Sequence, residues 1–466
     1  VPITQLSAPA ANLLQRSMLQ SAAVAGETYL MAALVASGIF LLVFIAISFH
    51  LLHETAAALL GAAAVLLTTY IWGHFNPRMQ MLTFDKAMSF VDWNVIFLIM
   101  GMMIFVAILA QTNIFRWLAF RFYNANRGKP WRLLASLLLL TAVTSALLND
   151  VTVILLLVPL TIQIALALDI HPFTFVIPEV LISNIGGSAT LIGNPPSTIV
   201  GSHINASFAH YLANMGPIAL ICMLALFVVV RIQYRNDIQP AAPEARASLL
   251  ERLAADSDIR QHDILLKTTI VLVFTFILFF AADSFDNIPP GVVAISGAAL
   301  LIAWVRPDVD HMLREVDWTT LLFFIGLFVV VGAMDNTGAI NWLATQIVHL
   351  AGKTAHGAAV LTTWVSAFAS AIVANIPFTV AALPVADSLT QNLPATGGSE
   401  IIYWALILGA DLGGNATYLG SAPNIVAVGL LAQAGYRLTF RRFARDGLAV
   451  TLVTLVLASL WLIIRY

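Results

Sequence analysis

Four of the long apolar segments in this chain are interrupted, and those interruptions constrain its fold more than any other feature. Leu133–Leu168 and Thr362–Leu389 break at Asn149–Asp150 and at Asn375–Pro377, while Phe173–His203 and Ile401–Leu431 break at clusters rich in Gly and Pro. In hydrocarbon every backbone N–H and C=O needs an internal partner. Irregular backbone at membrane depth therefore survives only when it is buried in protein or lines a wet cavity. The other apolar stretches read as spans or the cores of spans: Tyr29–Phe49, Ala56–Trp72, Trp93–Ala110, Pro217–Val230, Thr268–Ala281, Gly291–Val305, Trp318–Met334 and Leu448–Ile464. A crossing helix needs roughly 20 apolar residues, so the shorter ones must recruit their flanks. Only 10% of the residues are charged and 60% are hydrophobic, whereas soluble domains carry about a quarter charged residues. The expectation is an all-α polytopic membrane protein.

Charge placement orients the spans. If Leu133–Leu168 and Thr362–Leu389 are re-entrant hairpins, and the other two broken segments cross, then four basic loops share one face. Arg116–Arg132, Arg231–Lys267, Arg306–Arg314 and Arg437–Arg445 hold 5, 6, 2 and 4 basic residues, 17 of the chain's 22. The positive-inside rule assigns that face to the cytoplasm. Residues 1–27 read as a lead-in, 28–232 as a first repeat with its preceding helix, 233–266 as a cytoplasmic linker, and 267–466 as a second repeat.

The repeat is visible directly. Val91–Ala119 and Val316–Ala344 are identical at nine of 29 positions, both opening Val-Asp-Trp and closing Trp-Leu-Ala; chance in so apolar a composition gives about three. Ile185–Ser197 and Leu412–Asn424 agree at six of 13 positions. The hairpin interruptions are matched as Asn149, Thr152 and Pro159 with Asn375, Thr379 and Pro384. Under the charge-derived topology Trp93 begins an inward helix and Trp318 an outward one, so the halves are inverted. Paired, Gly/Pro-interrupted helices in inverted halves point to a secondary transporter whose site lies where the repeats meet.

The residues suit that role. Glycines at 186 and 187 and the Pro195-Pro196 pair should divide the first broken helix into two half-helices with an extended link. Freed carbonyls and half-helix ends can hold a cation or a polar solute. Gly187, Ser188, Thr190, Asn194 and Ser197 in the first break, and Gly414, Asn415, Thr417, Ser421 and Asn424 in the second, supply backbone, hydroxyl and amide ligands. Asn149 and Asn375 stand at the hairpin tips facing them, and Asn184 precedes the first break. Such hard oxygen ligands suit Na⁺, a proton-linked carboxylate or a hydroxylated solute. A single motif of this kind could equally be a close-packing seam of small residues; its duplication in register favours a site. Three intramembrane acids, Asp150, Glu179 and Asp411, are candidate proton carriers, because carboxyls at that depth are costly and mark ion paths. Asp411 occupies the place of Asn184 in the second repeat, so the acids are placed asymmetrically.

Other chemistries fit poorly. The single cysteine, Cys222, excludes an intramolecular disulfide framework and a thiolate cage. His53-Glu54 has Ala57 where a zinc helix needs its second histidine. No GxxxxGK[ST] loop occurs, so any ATPase would be a separate cytoplasmic partner. The net charge of −2 argues against nucleic acid, and no nucleophile–base pair suggests an enzyme. No cofactor is expected beyond a bound Na⁺ or H⁺.

Asn184–Ser197, preceded by Leu148-Asn-Asp-Val-Thr152, resembles the ion-transporter superfamily, with the ArsB/NhaD permeases and P-protein-like carriers as the nearest match. Where many P-protein-like members carry aspartate in a Gly-Asp-Pro-Pro run, this chain has Asn194. The resemblance implies a homodimer in the cell's inner (plasma) membrane, with mobile transport domains that move in an elevator-like manner. It also implies coupled efflux of a small inorganic solute such as arsenite or antimonite. A Na⁺/H⁺ antiporter and an organic-anion (dicarboxylate) carrier are the alternatives. Lipid, the solute and its coupling ion are then the expected partners.

Overall fold

The computed structural model describes residues 30–49, 51–126, 129–238, 258–259, 261–282, 288–340, 354–392 and 400–466. The lead-in 1–27 and most of the linker 233–266 lie outside the described residues. Every regular element among the described residues is helical.

In chain order these are α1 (Leu30–Ser48), α2 (Glu54–Phe75, with a π turn over Thr68–Trp72), α3 (Phe84–Phe90), α4 (Trp93–Gln111) and α5 (Ile114–Ala125). Then come α6 (Pro130–Leu147), α7 (Asp150–Ala167), α8 (Phe173–Gly187), α9 (Pro195–His203) and α10 (Phe208–Gln233). The second half holds α11 (His262–Ala281), α12 (Pro290–Val305), α13 (Val309–Glu315), α14 (Trp318–Asn336), α15 (Ala355–Ile372), α16 (Asn375–Asn392), α17 (Ile401–Gly414), α18 (Ala422–Gln433) and α19 (Phe440–Arg465). Among the described residues, ten helices are long and apolar enough to cross a membrane.

The chain divides into two compact units. The first comprises residues 1–91 and 322–347. In it Gly326 of α14 lies against the Ala58 backbone of α2, and Gly332 against the Phe90 ring. Asn336 at the end of α14 donates to the Met81 carbonyl at 2.6 Å. The second unit, residues 92–321 and 348–466, carries both hairpins and both broken helices. Its framework includes α4 packed on α12, where Gly101 meets the Ala294 backbone too closely for any side chain.

Sequence and structure differ at two kinds of boundary. The span predicted from Pro217 begins at Phe208 and keeps Pro217 inside the helix. Pro159, Pro178 and Pro384 also lie within helices. A buried membrane helix tolerates the lost i→i−4 bond when its neighbours satisfy the freed carbonyl. The second hairpin turns at Val373 and Ala374, so Asn375 is the first residue of α16, one step earlier than the interruption predicted at Asn375–Pro377.

Candidate functional site

Each hairpin tip is tied to the broken helix of its own half by two matching bonds. The Asp150 amide donates to the Gly193 carbonyl at 3.2 Å, and the Asn375 amide donates to the Gly420 carbonyl at 3.0 Å. The Thr190 hydroxyl donates to the Ala146 carbonyl, and the Thr417 hydroxyl to the Ala371 carbonyl. The glycines explain how the chains come so close. A Cβ on Gly186 would stand 2.5 Å from the Ala142 carbonyl oxygen, and one on Gly413 would strike the Ala367 backbone.

These bonds fix the internal register. They pair Asp150 with Asn375, Ala146 with Ala371, and Pro159 with Pro384, all 225 residues apart, while the breaks correspond at 227. Matching Asn149 to Asn375, and Thr152 to Thr379, is therefore corrected. Asn149 is the N-cap of α7, where its Oδ1 accepts from the Val151 and Thr152 amides at 3.1 and 3.4 Å. Its counterpart in the second half is Ala374, and Asn375 takes the place of the acid Asp150. Each half thus contributes one acid and one amide: Asp150 and Asn184 in the first, Asn375 and Asp411 in the second.

The two breaks, Ser188–Asn194 and Asn415–Ser421, interlock reciprocally. Asn184 Nδ2, at the end of α8, donates into the second break, to Asn415 Oδ1 at 2.8 Å and to Ser421 Oγ and Asn424 Oδ1 at 3.0 Å each. Asp411, its counterpart at the end of α17, reaches into the first break. Ser197 Oγ donates to Asp411 Oδ2 at 3.3 Å, and the Asn194 and Asn375 side chains lie beside the same carboxyl. With the breaks matched at 227, Ser197 corresponds to Asn424 and Asn194 to Ser421, so the exchange is that of a pseudo-two-fold contact. The amides are held in orientation. Asn415 Nδ2 donates to the Leu181 carbonyl and Asn424 Nδ2 to those of Gly414 and Thr417, which leaves their oxygens facing Asn184.

All of these polar groups are buried: Asn184, Asp150, Asn194, Asn415, Ser421 and Asn424 are at most 4% exposed, and Asp411 is fully buried. Asp150 is near enough to Asp411 to interact with it electrostatically. Asn184 Oδ1 has no hydrogen-bond partner within the protein. No Lys or Arg occurs in any of the four broken segments. The cluster can accept or donate hydrogen bonds to a small hydroxylated solute, and its carboxyls can hold a cation or a proton.

Several of the residues singled out from the sequence have their hydrogens engaged elsewhere. Ser188 Oγ donates to the Ile185 carbonyl and Thr379 Oγ1 to that of Asn375, so each offers only lone pairs. Thr190 and Thr417 act as ties between break and hairpin. Glu179 sits apart from the interlock, between the arms of the first hairpin: Thr141 Oγ1 donates to its Oε1 at 3.2 Å, and Thr161 lies alongside. Gly187 and Gly414 close α8 and α17, where Asn194 and Asn424 approach them. Sequence reasoning missed Tyr211. Its buried hydroxyl donates to the Ser188 carbonyl at 3.4 Å and lies near Ser197 and Asp411; as one aromatic in an apolar helix it carries no distinguishing signal. The tip-binding carbonyls of Gly193 and Gly420 were also missed. Among the described residues no group of three or more His, Cys, Asp or Glu could hold a metal. Cys222 is buried in α10.

A family model described as "Citrate transporter" (CitMHS) matches residues 39–409. An uncharacterized transporter of Mycobacterium tuberculosis (strain H37Rv) is 36% identical over 434 residues, which cover 93% of this chain and 99% of the relative. The P protein of Mus musculus is 31% identical over 514 residues, covering 93% of this chain and 60% of its own length. In fold, the chain is similar to the crystal structure of the Alcanivorax borkumensis YdaH transporter: TM-score 0.57 at 13% identity, over 88% of this chain and 98% of that one.

Proposed function

We propose, from the premise that the chain belongs to the citrate-transporter (CitMHS) family within the ion-transporter superfamily and is a secondary transporter in a membrane it crosses many times, that it couples a proton or sodium gradient to the efflux of a small inorganic solute, arsenite or antimonite being the specific candidates. The observation that carries this reading is the reciprocal insertion of Asn184 and Asp411 into each other's broken helix. Neither half can complete the cluster alone, so a passenger held there is held by both repeats.

The passenger's chemistry follows from the lining. Neutral arsenite presents hydroxyl groups that both donate and accept. Asn184 Oδ1 is free to accept, and the Asp411 carboxyl with the Asn194 amide beside it offers further acceptor and donor groups. Buried polar atoms left without a partner cost about 1–3 kcal/mol each, and a bound hydroxylated solute would recover much of that. Coupling follows from the acids: two buried carboxyls close enough to repel call for a compensating cation or proton, and its arrival or departure changes what the pocket can carry. Inverted halves, with the basic loops on the cytoplasmic side of the plasma membrane, allow the cluster to face either side in turn. A homodimer moving in the elevator manner is the arrangement this reading adopts.

A second reading, Na⁺/H⁺ antiport, is favoured by the nearness of Asp150 to Asp411; the ion would then be the passenger. A third, transport of citrate or another organic anion, is favoured by the family description. It would need co-bound cations, because the broken segments contain no Lys or Arg.

Purified protein in proteoliposomes under an imposed pH or Na⁺ gradient separates these. Accumulation of arsenite in inside-out vesicles supports the first reading. Na⁺-dependent collapse of the pH gradient without any added solute supports the second, and cation-dependent citrate uptake the third. Unsaturable flux at channel rates would reject all three.

A further inference from the structure

A surface groove away from the interlock combines apolar walls with two arginines. It has a volume of about 460 Å³ and runs between the start of α6 and the end of α10, both of which pack on α8. Leu134, Ala135 and Leu138 form one wall and Phe227 and Val228 the other. Trp131, Arg132 and Arg231 border it at the helix ends. The Arg231 guanidinium lies 4.1 Å above the Trp131 ring centroid. A guanidinium that meets a ring through its face can still donate through its edge N–H groups. Neither arginine belongs to any ion pair among the described residues.

We infer that this groove is a binding site for an anionic phospholipid, with the headgroup phosphate between Arg132 and Arg231 and an acyl chain along the apolar walls. The placement has physical reasons. Arg132 lies in the first turn of α6 and Arg231 in the last turn of α10, where long basic side chains meet headgroups at a bilayer boundary. Trp131 is the amphipathic ring favoured at that level. From Arg132 to Leu138 the wall descends about 9 Å at the helical rise, along residues that meet only hydrocarbon comfortably. Charge complementarity selects an anionic over a zwitterionic lipid. This is also the face whose basic loops place it at the cytoplasmic leaflet, the one that carries anionic lipid. α6 is the entering arm of the first hairpin, so the lipid would sit against one of the two elements whose tips touch the interlock.

The test is native mass spectrometry of the full chain in detergent, titrated with phosphatidylglycerol or phosphatidylcholine. Wild type should retain phosphatidylglycerol at concentrations where phosphatidylcholine has dissociated. R132Q/R231Q should lose that retention, with an apparent affinity at least about tenfold weaker. Ala135→Trp, which fills the groove and keeps both arginines, should weaken it as well. Equal retention of the two lipids by wild type overturns the proposal, whichever variants fold. So does unchanged phosphatidylglycerol retention in either variant, or displacement of the lipid by millimolar inorganic phosphate, which would make the site one for free anions.

Discussion

Replacing Asn184 by aspartate tests the interlock at its most demanding point. In the native protein one amide nitrogen faces three oxygens at 2.8–3.0 Å, those of Asn415, Ser421 and Asn424. An amide has two N–H donors, so the arrangement is already crowded with acceptors. Asn415 and Asn424 cannot turn to help, because their own nitrogens are committed to backbone carbonyls. Asn184→Asp places a carboxylate oxygen where the nitrogen stood. The lost bonds and the buried, unpaired charge together should cost about 3–5 kcal/mol at neutral pH. Asn184→Ala, which strands the same acceptors without adding charge, should cost about 3 kcal/mol. The assay is the melting temperature of the purified protein, read by intrinsic fluorescence across pH and Na⁺ concentration. Both variants should melt several degrees below wild type at pH 7.5 without Na⁺. The aspartate variant alone should recover as pH falls, since a protonated carboxyl again donates, or as Na⁺ rises, since a cation can bridge the oxygens. An aspartate variant as stable as wild type at neutral pH without Na⁺ would refute the hydrogen-bond accounting.

Three further outcomes are expected. Asp150→Asn should abolish or greatly reduce gradient-coupled transport while leaving the melting temperature within a few degrees of wild type; full coupled activity would remove Asp150 from the mechanism. Gly186→Val should prevent the first hairpin from packing on α8, because even its Cβ would meet the Ala142 carbonyl at 2.5 Å; a monodisperse, wild-type elution profile on size exclusion would contradict this. Asp446→Ala should destabilise the protein by about 2–4 kcal/mol. Asp446 is buried, accepts from the Tyr234 hydroxyl at 2.8 Å, and pairs with Arg442 and Arg445 at 3.1 and 2.9 Å; an unchanged melting curve would show that those groups find other partners.

Much of this arrangement was legible in the sequence because polar and helix-breaking residues stand out against hydrocarbon-compatible runs. Asn149, the Gly-Gly pairs and the prolines after each break were conspicuous, and the structure places a turn or a chain break beside each. The register between halves was harder to read. Two residues separate the spacing of the hairpins from that of the breaks, and in apolar helices a slip of one or two residues leaves hydropathy unchanged. Only hydrogen bonds such as Asp150 to Gly193 and Asn375 to Gly420 settle it. The consequence is chemical: Asp150 matches Asn375, so the halves exchange acid for amide twice. Pro217 stays inside its helix because neighbouring helices can satisfy the carbonyl it frees, which sequence alone does not reveal. Tyr211 and the groove at Trp131 depend on packing between distant segments, which no local pattern encodes.

The most direct test of the account is solute accumulation in proteoliposomes under an imposed proton or sodium gradient, with wild type and Asp411→Asn measured side by side at matched reconstitution. The account predicts that wild type concentrates its solute above the outside level in a saturable, gradient-dependent way, and that the variant at best only equilibrates it. Wild type that merely equilibrates every solute tried, or an Asp411→Asn variant that accumulates as steeply as wild type, would contradict it.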